Sequence, residues 1–126
     1  MELKFFTEFQ SATLPGYCFR VKRISLAGRM RFLSVNHDLM QKLKFLSAAP
    51  SLDSRQREEL AGLELTLSRN LIEECLSAFN HSGSFEAVNP QFVDWLLEEA
   101  PSSLCVEVLS VISQELALSE PLRKKS

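Results

Sequence analysis

The spacing of apolar residues along the chain changes near residue 25. Residues 17–24, YCFRVKRI, alternate Tyr17, Phe19 and Val21 with polar or small side chains. A period of two with aromatic and β-branched residues predicts a half-buried strand. The preceding LKFFTEF alternates less cleanly, and LPG at 14–16 is typical of a turn. The N-terminus is therefore predicted to form a small β-hairpin.

A period of three to four begins after this hairpin. Ser25 is a suitable N-cap, and the pattern predicts one amphipathic helix from there to about Ala48. Its apolar stripe consists of Phe32, Val35, Leu39, Leu43 and Leu46, widened by Leu26, Met30, Leu33 and Met40. Arg29 and Asn36 fall inside the apolar arc, where they either sit at the rim of the buried face or meet a partner.

A second helix is predicted to follow AAPSLD at 48–53. Asp53 and Gln56 have the spacing of a capping box. A stripe of leucines continuing through Cys75, Leu76 and Phe79 carries the predicted helix to about Asn80. The polar HSGSFEAVN that comes next is expected to be a loop, with room for a brief strand at 85–88.

Two short helices are predicted in the last third of the chain. Asn89 as N-cap with Pro90 at the first helical position starts a helix that runs through Glu99. Pro101 then turns the chain, because it disfavours helical geometry at the preceding residue and lacks an N–H. LCVEVLSVI at 104–112 is rich in β-branched residues, yet its apolar positions step by three or four, which favours a helix over 102–117.

Together these patterns predict a mainly α fold, a small helical domain of about four helices with a short N-terminal β-hairpin. The length of 126 residues indicates one domain. Within residues 1–126 we expect a β-hairpin or arm at 1–24, a helical core at 25–117 and a basic tail at 118–126.

Charge is unevenly distributed, although the net charge is only −2. Residues 1–57 hold ten Lys and Arg against four Asp and Glu, whereas residues 58–122 hold one against twelve. Such asymmetry indicates association, either with nucleic acid or between the basic and acidic halves of neighbouring copies. The basic segment 20–31 contains five Lys and Arg, but it has no helix-turn-helix signature and no interleaved stacking aromatics, so nucleic acid is not the expected partner.

Residues that carry catalytic chemistry are sparse. Cys18, Cys75 and Cys105 are far apart and odd in number, and they form neither a CxxC pair nor a complete disulfide framework. The four glycines are isolated, so no phosphate-binding loop is present. No catalytic, cofactor-binding or metal-binding residues are predicted, and a non-enzymatic protein is expected. Neither a transmembrane span nor a secretory signal is recognised, so the prediction is a protein of the cytoplasm that does not use a membrane.

Two segments resemble a known family. YCFRVKRISLAGRMRFL at 17–33 is similar to the opening of tail assembly chaperones from long-tailed bacteriophages and prophages, which have a short basic strand followed by a basic–apolar–Ser motif and a helix. Residues 71–126 resemble the C-terminal half of that group, with a helix, a short loop, a helix–Pro–helix module and an ending like ELALSEPLRKKS. The Asn-Pro before the third helix and Pro121 in the ending depart from the pattern.

The resemblance implies a non-enzymatic helper in the bacterial host cytoplasm that binds the helical tape-measure protein and keeps it soluble during tail assembly. Other tail proteins and further copies of the chain are additional candidate partners. The alternatives are a small DNA-binding or regulatory helical protein that uses segment 20–31, or a structural tail or capsid component. The candidate partner-binding residues are Arg20, Lys22, Arg23, Arg29, Arg31, Phe92, Trp95, Leu96 and Leu104. For the last four, membership of an ordinary core is the competing interpretation.

Overall fold

A computed structural model describes residues 6–80 and 83–116. Along the chain the elements are β1 (Phe6–Gln10), β2 (Cys18–Lys22), α1 (Leu26–Val35), α2 (His37–Ala48), α3 (Ser54–Cys75), β3 (Leu76–Asn80), β4 (Phe85–Ala87), α4 (Pro90–Glu98) and α5 (Ser102–Leu116). The predicted basic tail at 118–126 and the closing motif from residue 117 onward lie outside the described residues. None of the helices in the described ranges is long and apolar enough to cross a membrane.

The strands form one antiparallel sheet in the order β1-β2-β3-β4. The predicted N-terminal hairpin is confirmed, with Phe9 opposite Phe19 and Glu8 opposite Arg20. Gly16 occupies the turn at φ +90°, a left-handed conformation that glycine adopts without strain. As the period of two predicts, Phe19 and Val21 are completely buried.

The prediction of a mainly α fold is wrong. Helices hold 62% and strands 17% of the described residues, so the protein is an α+β structure with five helices and a four-stranded sheet. The error lies at residues 76–80, where a helix to Asn80 was expected. In the structure α3 ends at Cys75 and the chain enters β3 directly. There β3 supplies the second neighbour of β2, and Phe79 stacks on Phe92 with 4.0 Å between ring centroids.

The single helix predicted over 25–48 is also divided. Ser25 caps α1 as expected, because its hydroxyl accepts from the Gly28 N–H at 3.0 Å. The helix then ends at Val35, and Asn36, with φ −98° and ψ 12°, links it to α2. Val35, the last residue of α1, is exposed, so the stripe of buried apolar residues is interrupted at the break.

The later helix boundaries agree with the sequence signals. Asp53 and Gln56 form the predicted capping box, with each side chain bonded to the backbone N–H of the other. Asn89 caps α4 through the Phe92 N–H at 2.8 Å, and Pro90 is its first residue. After Pro101 the chain is helical from Ser102, so residues 104–112 form a helix rather than a strand.

The chain divides into two compact units. One comprises Met1–Ile24 with Leu71–Ser126, and the other Ser25–Asn70. In the described part of the first unit, helices α4 and α5 cover the sheet face that carries Phe19 and Val21. Helix α5 buries Leu104, Val108, Ile112 and Leu116 at regular steps of four. Phe92 of α4 lies 6.5 Å from the Phe19 ring.

Two carboxylates of α5 accept hydrogen bonds from β1 and from the connection between β1 and β2. Glu107 accepts from the Ser11 hydroxyl at 2.6 Å and from the Ala12 N–H at 2.7 Å, and Glu115 accepts from the Thr7 hydroxyl at 3.0 Å. Partial burial raises the pKa of Glu107, but hydrogen bonds from Ser11, Ala12 and Thr13 outweigh it and leave the pKa below its usual value. The ionised form of Glu107 is thus the one that holds the turn.

Candidate partner-binding surface

Residues 25–70, which we call the helical unit, contain very little buried apolar surface. Of its side chains, Phe32 and Leu46 are the apolar ones that are buried, whereas thirteen apolar side chains are buried in the described part of the other unit. A helix of a water-soluble domain normally buries an apolar stripe, because that burial supplies most of its stability. The helical unit therefore exposes apolar surface that a partner could cover.

The exposed apolar side chains of the helical unit lie on all three of its helices. Val35 is 82% exposed and Phe45 is 75% exposed. The other large ones are Leu26, Met30 and Leu65. Single exposed apolar residues are common on protein surfaces, but five in 46 residues that bury only two are unusual. The large number of exposed apolar side chains relative to buried ones makes the helical unit the candidate interaction region.

Phe45 lines two open grooves. One groove, of about 530 Å³, is lined by α2 and the segment after it, from Gln41 to Pro50. The other, of about 510 Å³, lies between α2 and the start of α3, with Lys42 and Glu59 on its walls. We call this region the Phe45 surface, defined by Gln41, Lys42, Lys44, Phe45, Ala48 and Glu59. An exposed aromatic side chain that lines two grooves suits the side chains of an apolar helix.

A pair of asparagines, one buried and one half-buried, links the helices that carry this surface. Asn36 is 5% exposed, and its amide Nδ2 donates to the Phe32 carbonyl at 2.9 Å. Its Oδ1 accepts from Nδ2 of Asn70 at 2.7 Å. The pair thereby ties the α1–α2 junction to α3. Leu39, Leu43 and Leu46 follow Asn36 at the spacing with which Leu67, Leu63 and Leu60 precede Asn70, as expected for an antiparallel helix pair.

Arg20, the first candidate partner-binding residue, is used within the sheet. Its guanidinium carbon lies 4.4 Å from the centroid of Phe6 and 3.7 Å from that of Phe85. Its Nε also donates to Glu8 at 3.1 Å. The guanidinium is thus engaged by two aromatic rings and one carboxylate, so Arg20 stabilises the sheet face opposite to α4 and α5.

The remaining basic candidates are divided between the two units. Lys22 and Arg23 are exposed at the end of β2 and just after it, and Arg31 is exposed on α1. Arg29 is half-buried on α1. The structure thus does not gather these side chains into one described basic cluster within a single unit.

The apolar candidates of the Pro101 corner belong mainly to the core. Phe92, Leu96 and Leu104 are buried, and Trp95 is half-buried. The Trp95 ring stacks with Tyr17 at 6.4 Å between centroids and makes a tilted contact with the Phe92 ring at 5.5 Å. A partner could reach the buried three only by displacing neighbouring side chains, so they do not form a ready surface.

Of the three cysteines, Cys75 is buried in the core, whereas Cys18 and Cys105 are half-buried. Burial raises the pKa of the Cys75 thiol to about 12, and burial also raises the pKa of Cys105. A thiol with a raised pKa is a poor nucleophile at neutral pH, because the thiolate is the reactive species. Within residues 6–80 and 83–116 no group of three or more His, Cys, Asp or Glu side chains is placed to hold a metal ion.

The sequence patterns missed Phe45, although a signal for it is present. Gln41, Phe45 and Ala48 have helical spacing on the polar side of the predicted helix, opposite the Leu39–Leu43–Leu46 stripe. A large aromatic residue on a wet face is therefore recognisable from spacing alone. That the Phe45 side of α2 stays largely exposed is information that only the three-dimensional structure supplies.

The comparisons with known proteins add no relatives. No protein-family model matches this chain, and neither the curated proteins nor the solved structures give a significant match.

Proposed function

We propose that this protein is a non-enzymatic binding protein that holds an apolar helical partner on the helical unit. The observation that supports this most strongly is the exposure of Phe45 and Val35 on helices that bury only two apolar side chains. Helix-in-groove recognition uses such surfaces, with anchors spaced by helical turns. Covering a side chain of this size contributes about 1.5 to 3 kcal/mol, so a few such contacts can sustain a specific complex.

The resemblance to tail assembly chaperones suggests the identity of the partner. A tape-measure protein is a long helical protein with apolar stripes, and a chaperone for it needs accessible apolar surface rather than catalytic groups. The proposal therefore includes action in the cytoplasm of a bacterial host during tail assembly. Other tail proteins, or further copies of the chain, are secondary partners within the same proposal.

Co-expression with a helical tape-measure fragment from the same phage or prophage tests this function. The fragment alone should enter the insoluble fraction, and the wild-type protein should keep it soluble and co-purify with it. The double variant Val35→Ser/Phe45→Ser should lose this effect while remaining folded, because both side chains are exposed.

A matched control is available in the other unit. Val106 on α5 is 64% exposed, so Val106→Ser removes the same side chain as Val35→Ser from a different surface. Val and Ser have similar helix propensities, so both helices should persist. A wild-type protein that leaves the fragment insoluble would contradict the proposal. So would a loss of solubility as large with Val106→Ser as with the double variant.

DNA binding is the second candidate, because Lys22, Arg23 and Arg31 are exposed in segment 20–31. Against it, Arg20 is engaged by Glu8 and two aromatic rings. Phosphate binding would produce an affinity for duplex DNA that falls steeply with salt. A gel-shift series from 50 to about 200 mM salt distinguishes this function, since a helix-binding protein should leave the duplex unshifted. A structural tail component would instead remain in finished particles.

A further inference from the structure

We infer that the Phe45 surface binds acidic amphipathic helices in preference to basic ones, and that Lys44 provides this preference through its charge. This inference rests on the proposed function and specifies the chemistry of its partner. The apolar part of the site comes from Phe45 and Ala48, and the charged part comes from the lysines beside them.

The two grooves share Gln41 and Phe45 as lining residues, so side chains one helical turn apart on a partner could occupy both. Side chains at positions i and i+4 of a helix lie about 5 to 6 Å apart, so two of them can straddle one aromatic ring. Phe45 lines both grooves and is largely exposed, which leaves its ring accessible from either side. An apolar pair on the partner would thus seat one side chain in each groove.

The charges of the two grooves differ. The groove between α2 and α3 has Lys42 on one wall and Glu59 on the other, so its lining charges offset each other. The groove at the end of α2 has Lys44 as its charged lining residue. More broadly, residues 25–48 carry Arg29, Arg31, Lys42 and Lys44 against Asp38. Complementary charge therefore favours an acidic residue of the partner beside Lys44, because exposed opposite charges steer and orient association.

Two synthetic helical peptides test this inference. They share the same apolar heptad positions and differ in having Glu or Lys at every flanking position. Fluorescence anisotropy measures their binding to the wild-type protein and to Lys44→Glu. The acidic peptide should bind the wild type about tenfold more tightly than the basic one at low salt, with a smaller difference at about 0.5 M salt. Lys44→Glu should reverse the preference.

Two further variants make the outcomes separable. Glu86→Lys reverses one exposed charge in the other unit and should leave the preference unchanged. Phe45→Ala should weaken both peptides. Equal binding of both peptides, unaffected by Lys44→Glu, would overturn the charge selection while leaving helix binding intact. If neither peptide binds, the proposed function itself fails and this inference with it. An effect of Glu86→Lys as large as that of Lys44→Glu would also overturn the assignment, because the charge preference would then not depend on the Phe45 surface.

Discussion

Replacing Asn36 should show how much the polar pair contributes to the helical unit. The side chain makes two hydrogen bonds, one to the Phe32 carbonyl and one from Asn70, and it is nearly inaccessible to water. A neutral hydrogen bond contributes about 1 kcal/mol net, so Asn36→Ala should lose about 2 kcal/mol from these two bonds. Asn36 joins α1 to α2 and lies outside both helices, so the higher helix propensity of Ala does not offset this loss.

Two other substitutions at Asn36 separate polarity from packing. Asn36→Asp keeps the shape but replaces the donor to the Phe32 carbonyl with a buried charge, so it should cost more than Ala. Asn36→Leu continues the apolar stripe between Phe32 and Leu39, and burial of the new side chain should offset most of the lost hydrogen bonding. The expected order of stability is wild type, Leu, Ala and Asp.

Urea denaturation followed by circular dichroism measures these differences as changes in the free energy of unfolding. Asn70→Ala, alone and combined with Asn36→Ala, completes a double-mutant cycle for the 2.7 Å bond between the two amides. A coupling energy of about 0.5 to 1.5 kcal/mol is expected. A coupling energy near zero, or an Asn36→Ala protein more stable than the wild type, would refute the role given to the pair.

Three further predictions concern the other unit. Because the pKa of Glu107 is lower in the folded protein, its contribution to stability is complete at neutral pH and is lost as the pH falls below about 4.5. Glu107→Gln should therefore flatten the acidic part of a curve of unfolding free energy against pH. An unchanged curve would count against the hydrogen bonds between Glu107 and the turn. Arg20→Lys keeps the charge but loses planar stacking on two rings, so it should lower the free energy of unfolding by about 1 to 2 kcal/mol in urea titrations, whereas an unaltered midpoint would discount the stacking. Cys75 should resist iodoacetamide until the protein unfolds, while half-buried Cys18 reacts earlier, an order that mass spectrometry of labelled peptides can check.

Local signals in the sequence located the elements whose ends depend on nearby residues. Ser25, the Asp53–Gln56 pair and Asn89 each cap a helix through bonds that span three residues. The β-hairpin depends on a turn and on alternation within a few residues, so it was equally accessible. These features are set by short-range chemistry, and one sequence contains that information.

The wrong prediction at residues 76–80 has a non-local cause. Leu76 and Phe79 fit a helical stripe, yet they also suit a strand that pairs with β2 more than 50 residues earlier. Periodicity over five residues cannot decide between these structures, and pairing with a distant strand overrides local preference. The break at Asn36 is similar, because its side chain bonds to Asn70, which is 34 positions away.

The candidate surface could also be predicted only in part from the sequence. Arg20 was a candidate because of its charge, and Leu104 because of its hydrophobicity. In the structure Arg20 packs against two phenyl rings and Leu104 is buried. Phe45 has the residue type of a core position and the helical phase of a solvent-facing one. Exposure depends on what covers a residue in space, and hydrophobicity patterns do not record that for a short helix.

Hydrogen exchange can show whether a helical partner binds to the helical unit, because it maps the area that the partner covers. Amide exchange of the wild-type protein would be followed by mass spectrometry with and without a helical tape-measure fragment. The fragment is expected to slow exchange in peptides from α1, α2 and the first half of α3, and to leave the four-stranded sheet and α5 unchanged. Protection confined to the sheet or to α5, with residues 25–60 unaffected by a bound fragment, would contradict binding to the helical unit.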